Sequence, residues 1–234
     1  PVGLVQHRTL HLRHPLRADP DGPELAFHHR GQHLALTAEN RHGARGLRHR
    51  SDTLFAQIEF DGFALVALDF DGVDDYVSTG KNASALGIGG NNARTVTVWV
   101  YTRGFANGGI YDVGARTEGQ DFCLRTLDSI QNRWRIQYWG GDFDFTYNTA
   151  NRWVHFAHVH DGTHTKIYAD GVLIVDWEKT INTTDTNPFQ IGLYGWPGNY
   201  FDGQIDELRL YNRALSAEEV LGAFGQTAPV HKPF

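Results

Sequence analysis

The sequence predicts an all-β protein, an antiparallel two-sheet sandwich with one short C-terminal helix. Short strand-like segments recur about every ten residues from residue 64 onward, as in sandwiches. Several of them are joined at Asp-Gly pairs, namely Asp161-Gly162, Asp170-Gly171 and Asp202-Gly203. Glycine at the second position accepts the positive φ that a tight hairpin requires. These two observations together favour sequential hairpins over parallel strands joined by helices.

The individual strands follow from a period of two between apolar and polar side chains. The segment 95–103 is an example, because Val96, Val98 and Val100 alternate with larger or polar residues. The predicted strands are residues 54–60, 64–70, 73–78, 95–103, 109–113, 122–127, 133–139, 153–160, 165–169, 172–177, 189–194 and 204–211. Ser216 and Glu219 form a capping-box pattern, which predicts that a helix starts at Ser216.

Charge divides the 234-residue chain into two unequal parts. Residues 1–50 contain eight arginines, no lysine and four acidic residues, together with eight of the 13 histidines, whereas the remainder is strongly acidic. We therefore interpret residues 1–63 as a basic His/Arg-rich arm, 64–225 as the sandwich and 226–234 as a tail. The charges favour an arm that docks on the acidic sandwich, in the same chain or in a neighbour.

Two other interpretations of the arm are weaker. His28, His29 and His33 suggest a metal site, but the glutamate of an H-E-x-x-H helix is missing and Gly31 interrupts the segment. Nucleic-acid binding would use the positive charge, but no recognisable nucleic-acid module accompanies it. Solvated or packed histidines fit the segment better.

Composition excludes several classes of protein. No apolar run approaches the ~20 residues of a membrane span. The only cysteine, Cys123, excludes an internal disulfide, and its apolar strand predicts a buried thiol. The chain starts at Pro1 and contains no methionine, so we expect a processed product or a fragment.

Four motifs resemble one known family. Residues 68–77 are LDFDGVDDYV, 153–162 are WVHFAHVHDG, 168–171 are YADG and 201–216 are FDGQIDELRLYNRALS. In this order they resemble the laminin-G-like jelly-roll domains of the concanavalin A-like lectin/glucanase superfamily, over residues 64–225. The resemblance implies a jelly roll whose first and last strands are close in space.

Asp206 is a carboxylate in the predicted closing strand, where it shares a face with Leu208 and Leu210. Burial of such a group requires donors or a cation. The resemblance implies one structural Ca²⁺, held by Asp206 and Asp71 with carbonyls of the opening turn. Alternatively, Asp206 accepts hydrogen bonds from loop amides or pairs with Arg213.

Catalysis is disfavoured by what the sequence lacks. Glucanases with this fold use an E-x-D-x-x-E strand, which the chain does not contain. His155, His158, His160 and His164 form a cluster, but His158 and His160 share a face with core residues and no nucleophile is near in sequence. Glycoside cleavage is therefore the third choice.

Sugar-binding surfaces combine flat aromatic rings with hydrogen-bonding side chains. The strand 133–139 places Arg135 and Trp139 on the face opposite Trp134, and aromatic loops follow at 139–147 and 194–200. The candidate ligand-binding residues are Arg135, Trp139, Asp142, Phe143, Tyr147, Trp196, Asn199 and Tyr200; the alternative for these aromatics is a core role.

These features predict a secreted, extracellular, non-catalytic binding or adhesion module that recognises carbohydrate or protein and holds a structural calcium. The alternative is a structural subunit of an extracellular assembly, in which residues 1–63 pack on a neighbouring jelly roll. Neither prediction involves nucleic acid or a membrane span.

Overall fold

The computed structural model describes residues 67–226 and, before them, only the backbone of five short strands. In chain order the elements are β1 (Leu10–His11), β2 (Leu25–His29), β3 (Gln32–Thr37), β4 (Thr53–Leu54), β5 (Gln57–Glu59), β6 (Leu68–Asp71), β7 (Val77–Ser78), β8 (Arg94–Thr102), β9 (Gly109–Asp112), β10 (Cys123–Thr126), β11 (Arg133–Gln137), β12 (Phe143–Thr146), β13 (Trp153–His160), β14 (His164–Ala169), β15 (Val172–Glu178), β16 (Gln190–Ile191), β17 (Asp202–Tyr211) and α1 (Ala217–Gln226).

Two sheets form the sandwich. The eight-stranded sheet has the order β1-β6-β17-β8-β13-β14-β15, with β4 also paired to β17, and the six-stranded sheet has the order β12-β11-β10-β9-β16-β7. Strands β2, β3 and β5 form a separate sheet. β1 joins β6 in parallel, and the pairs within the rest of both large sheets are antiparallel. The predicted jelly-roll sandwich is confirmed, with β6 beside β17.

The core lies between the inner faces of the two sheets. In β13, Val154 and Phe156 belong to this core, while Ala157 and Val159 belong to a second cluster on the outer face. Across the sandwich the ring of Trp134 meets that of Phe156 at a centroid distance of 5.0 Å. Period-two alternation therefore decides which side chains reach the core and which remain outside.

The face predicted for Asp206 is wrong. Glu207 has a φ of 48°, and the register of β17 against β8 shifts between Asp206 and Arg209, which is a β-bulge. Because a bulge adds a residue to one strand, it reverses the alternation. Leu208 lies in the core, whereas the half-buried Asp206 lies opposite Trp99, on the outer face.

The C-terminal helix confirms the capping box. Ser216 N–H donates to Glu219 Oε2 at 2.9 Å, and Glu219 N–H donates to Ser216 Oγ at 3.3 Å. The helix covers part of the outer face of the eight-stranded sheet, where Val220 packs with Tyr168 and Tyr211. This contact buries part of one outer face of the sandwich beneath the helix.

A buried hydrogen-bond chain links the two sheets. Tyr111 O–H donates to His158 Nδ1 at 2.5 Å, and His158 Nε2–H donates to Tyr138 Oη at 3.0 Å. Tyr138 O–H donates to Thr165 Oγ1 at 2.7 Å, and Thr165 O–H donates to His160 Nδ1 at 3.2 Å. Neutral histidines satisfy every link, so these residues serve the core.

Three strand predictions differ from the structure, and the first is the predicted strand 73–78, which is reduced to β7. β12 was not predicted, because an irregular loop precedes it and only four residues alternate. The predicted strand 189–194 is reduced to β16, because Gly192 leaves the extended region with a φ of 82°. Cys123 is fully buried, as predicted.

Several predictions lie outside the described residues. These are the side chains of His28, His29 and His33, the side-chain contacts of the arm, and the tail.

Candidate functional site

The candidate site lies on the outer face of the six-stranded sheet. In β11, Trp134 and Ile136 are fully buried in the core, so the alternation turns Arg133 and Arg135 outward. Strand pairing places Asp144 of β12 directly opposite Arg135. The strand order thus arranges charged side chains in rows across this face.

Asp144 neutralises two of these arginines. Its carboxylate accepts two hydrogen bonds from Arg135, at 2.6 and 3.0 Å, and one from Arg133 at 3.0 Å. The hydrogen bond from Arg135 lowers the pKa of Asp144. Next to this pair, Asp142 accepts a hydrogen bond from Gln137 Nε2 at 2.8 Å. We call these four side chains, Arg133, Arg135, Asp142 and Asp144, the rim of the site. Their charges are paired with one another.

Arg125 forms the floor of the site. It is 6% exposed, and it donates to Gln137 Oε1 at 3.0 Å and to Asn107 Oδ1 at 2.7 Å. The ring of Tyr194 covers it, with 4.7 Å between the guanidinium carbon and the ring centroid. Burial raises the pKa of Tyr194. The ring of Tyr194 therefore covers Arg125 in the middle of the outer face.

Two tryptophans form a corner beside Tyr194. The rings of Trp139 and Trp196 have centroids 5.5 Å apart at an interplanar angle of 66°, and Trp139 lies 6.4 Å from Tyr194. Trp196 is 50% exposed. Arg116 stacks on it at 4.6 Å and donates from Nη2 to the carbonyl of Gly195. An exposed indole is thus held in a fixed orientation.

Two buried carboxyl groups anchor the loops beneath this corner. Asp112 Oδ2 accepts a hydrogen bond from Gly195 N at 3.0 Å, and Asp121 Oδ1 accepts one from Phe122 N at 2.9 Å. Their other oxygens, Asp112 Oδ1 and Asp121 Oδ2, are buried without a hydrogen-bond partner among the described residues. Burial raises the pKa of both, and the charge of Asp112 raises that of Asp121 further.

Two polar side chains near the tryptophans, those of Asn199 and Glu118, make no hydrogen bond to the described residues, and each lies in a loop. Asn199 closes the loop 194–199, because its carbonyl accepts from Tyr194 N at 3.1 Å, and its half-exposed side-chain amide has no partner among the described residues. Glu118 is exposed and lies against the turn after Trp139, since a Cβ on Gly140 would be 2.7 Å from its Cγ. These groups border the tryptophan corner.

The structure brings together only part of the predicted ligand set. Arg135, Trp139, Asp142, Trp196 and Asn199 lie on the outer face or its loops. The other three predicted residues, Phe143, Tyr147 and Tyr200, lie elsewhere.

Phe143 and Tyr147 lie on the inner side, where both pack against the core. The ring of Phe143 lies 5.4 Å from that of Trp177, and Tyr147 O–H donates to Asp170 Oδ2 at 3.2 Å. The half-buried Tyr200 pairs with Tyr76 at 6.3 Å. Alternation along β12 turns the aromatic residues inward, because Asp144 occupies the outward position.

Three site residues were not selected from the sequence. In β10 Leu124 faces the core, so Cys123 and Arg125 lie on the outward face. Strict alternation along this strand could therefore have identified Arg125 as a site residue. Arg116 and Glu118 lie in a loop without periodicity, and no local pattern in the sequence identifies them.

The predicted metal ligands do not come together. Strand pairing sets Asp71 opposite Asp202, and Asp206 lies four residues further along β17, roughly 13 Å away at the usual rise per residue. Asp71 instead lies with Asp74 and Asp75, and ligand atoms of all three are within 4.8 Å of one another. Carboxylate oxygens are the donors that Ca²⁺ prefers, so this opening turn fits the ion better than Asp206 does.

Comparisons with known proteins agree on the fold. A CBM40 of an IT-sialidase from Ruminococcus gnavus, solved bound to α2,3-sialyllactose, is 17% identical, covers 68% of this chain and 96% of its own, and has a TM-score of 0.52. Domain 4 of a GH43 extracellular arabinanase from Geobacillus stearothermophilus, solved with arabinotriose, is 17% identical over 89% of this chain and 85% of its own, with a TM-score of 0.47.

The receptor-binding domain of a botulinum neurotoxin C/D mosaic serotype is 14% identical over 58% of this chain, with a TM-score of 0.44, and the match spans 36% of that domain.

No curated protein sequence matches the chain. Within residues 67–226, no helix has the length and apolarity that a membrane crossing requires.

The sequence profile of a laminin G family, described as the concanavalin A-like lectin/glucanases superfamily, matches residues 71–221. This range runs from the opening turn through the closing strand into helix α1, and so includes the six-stranded sheet and the eight-stranded sheet apart from β1, β4 and most of β6. The chain belongs to the concanavalin A-like lectin/glucanases superfamily.

Proposed function

We propose that the chain is a non-catalytic carbohydrate-binding module whose ligand lies against Trp139 and Trp196. The observation that carries this proposal is the tryptophan corner, in which a 50% exposed Trp196 is fixed by Arg116 and by the loop 194–199. A rigid exposed ring offers apolar contact area at little entropic cost, which suits the C–H face of a pyranose or furanose ring.

The carboxylates of the site support a binding role over a catalytic one. Glycoside hydrolysis uses two accessible carboxyl groups about 5 to 10 Å apart. Asp112 and Asp121 are at most 2% exposed, and Asp144 is engaged by two arginines. Of the carboxylates at this site, Glu118 alone has no hydrogen bond or ion pair with the described residues. Such an arrangement can position hydroxyl groups, but it provides no acid–nucleophile pair.

A structural Ca²⁺ at the opening turn is part of the proposal. Asp71, Asp74 and Asp75 would hold the ion, which would tie the start of the sandwich together. An extracellular setting is proposed with it, because weak carboxylate sites fill where calcium is millimolar. Recognition of an extracellular protein by the same face is the competing outcome.

A glycan array probed with the full chain tests the function. Binding to at least one glycan class is expected, and Trp196→Ala should reduce the signal at least tenfold through loss of stacking. Leu221→Ala is the matched control, since Leu221 is 57% exposed on α1, outside the other sheet. If no glycan binds, the carbohydrate-binding function is wrong; if a glycan binds and both variants bind it like the parent, the placement of the ligand against Trp196 is wrong.

A further inference from the structure

We propose that this site selects neutral saccharides over anionic ones, and that Glu118 accepts hydrogen bonds from sugar hydroxyl groups. The inference rests on the proposed carbohydrate-binding function and concerns the class of its ligand. It follows from which charged groups at the site are already occupied by protein partners and which are open.

Of the two rim arginines, Arg135 has its two-N–H fork occupied by a protein carboxylate, whereas Arg133 donates from Nη2 alone. Carboxylates are recognised best by a guanidinium that presents two parallel N–H groups. Arg135 already uses two of these groups on Asp144, at 2.6 and 3.0 Å, and it also lies 3.7 Å from Asp142. Arg133 is bound to the same Asp144. An anionic ligand would have to displace Asp144 to form a two-hydrogen-bond contact with this edge of Arg135.

The two inner arginines also contact protein groups, although the buried Nε of Arg116 has no hydrogen-bond partner among the described residues. Arg125 is buried beneath Tyr194 and donates to two side-chain amides, those of Gln137 and Asn107. Arg116 stacks on Trp196 and donates to Gly195, with Asp112 at 3.9 Å as its counter-charge. The local charge is therefore balanced without a ligand.

The open polar groups beside the tryptophans are acceptors or neutral. Glu118 is exposed and makes no hydrogen bond to the described residues, and it contacts the turn at Gly140 directly after Trp139. The side-chain amide of Asn199 both donates and accepts. A carboxylate can accept from two adjacent hydroxyl groups at once, whereas it repels the carboxylate of a sialic or uronic acid.

One ammonium group could serve an anionic sugar. Lys179 Nζ donates to the carbonyl of Gly140 at 3.4 Å and lies 5.5 Å from the ring centroid of Trp177. It therefore sits beside the turn 139–141 but is directed toward the inner aromatic residues. Substitution of Lys179 therefore tests whether the site binds an anionic sugar.

Isothermal titration of the full chain with matched pairs of sugars tests the inference. The pairs are lactose with 3′-sialyllactose, and galactotriose with trigalacturonic acid, alongside neutral xylo-, gluco- and arabino-oligosaccharides. We expect a neutral sugar to bind and its anionic counterpart to bind more weakly. Glu118→Gln should weaken neutral binding about tenfold, since a hydrogen bond to a charged group is lost. Glu218→Gln, exposed on α1, is the control and should bind like the parent.

Three results would contradict the inference in whole or in part, and they are distinguishable. If anionic sugars bind more tightly and Lys179→Gln abolishes that binding, the ligand class is wrong while the carbohydrate-binding function stands. If neither kind of sugar binds, the function itself fails. Equal binding of neutral sugars by the parent and Glu118→Gln would remove Glu118 from the site.

Discussion

The indole rings of Trp139 and Trp196 meet at 66°, with their centroids 5.5 Å apart. Trp139 lies two residues after the end of β11 and has a φ of 52°. Trp196 lies within the loop 194–199. Their contact joins one strand end to one loop, and it is the basis of the proposed site.

Arg116→Ala should weaken glycan binding about fivefold, because the guanidinium orients Trp196 by stacking and by its hydrogen bond to Gly195. Arg116→Lys should not restore affinity, since an ammonium cannot reproduce the planar stack. Titration calorimetry measures both effects, and hydrogen exchange of residues 194–199 should increase in both variants.

Arg152→Ala is the matched control for Arg116. Arg152 also stacks on an aromatic ring, that of Tyr147 at 5.8 Å, but it lies away from the tryptophan corner and pairs with Asp170. If this variant loses as much affinity as Arg116→Ala, the special role of Arg116 is wrong.

Gly192→Ala should destabilise the fold by about 3 kcal/mol, because its φ is 82° and a Cβ would lie 2.2 Å from Phe70 Cε1. Gly198→Ala has a similarly positive φ of 104° but meets nothing within 4 Å, so we expect a loss of about 1 kcal/mol. Urea denaturation measures both free energies of unfolding. Equal losses would contradict the close packing of Gly192 on Phe70.

Acid should destabilise the fold through its buried histidines. Burial lowers the pKa of His155 and of His160 to about 4, and that of His158 further. These groups are neutral when folded but take up protons near pH 6.5 when unfolded. Their stabilisation is therefore complete above pH 6.5 and is lost as the pH falls toward 4, by up to about 1.4 kcal/mol per pH unit for each histidine.

His155→Phe isolates one of these contributions. His155 lies between Trp99 and Phe224, at 5.3 and 5.8 Å, so phenylalanine keeps the aromatic packing but does not titrate. The free energy of unfolding should fall less steeply below pH 6.5 in the variant. Asp112 and Asp121 have raised pKa values and oppose the histidines, so the difference between variant and parent is the decisive quantity. Identical slopes would contradict the prediction.

Calcium should raise the thermal unfolding midpoint of the EDTA-treated chain, because an ion bound only by the folded state stabilises it. Asp71→Asn and Asp74→Asn should lose this shift, whereas Asp206→Asn should keep it, since Asp206 lies roughly 13 Å along the strand from Asp71. A shift lost only in Asp206→Asn would support the ligand set implied by the family resemblance instead. No shift in the parent would remove calcium from the proposal.

The sequence by itself determined the features that depend on local order. Alternation located most strands, and the exact bounds of β13 were predicted from Trp153 to His160. The capping box predicted the start of α1 one residue before Ala217, and the four motifs identified the superfamily that the profile confirms. Each of these signals lies within about ten adjacent residues, so the sequence displays it directly.

The tertiary structure decided everything that depends on register and on contacts between distant segments. A bulge at Glu207 moved Asp206 to the outer face, and the phase of β12 turned Phe143 inward. Arg116 became a site residue only because the loop 194–199 brings Trp196 against it. A one-residue change in register reverses a side chain's face, and a loop contact has no periodicity, so neither can be deduced from the order of residues alone.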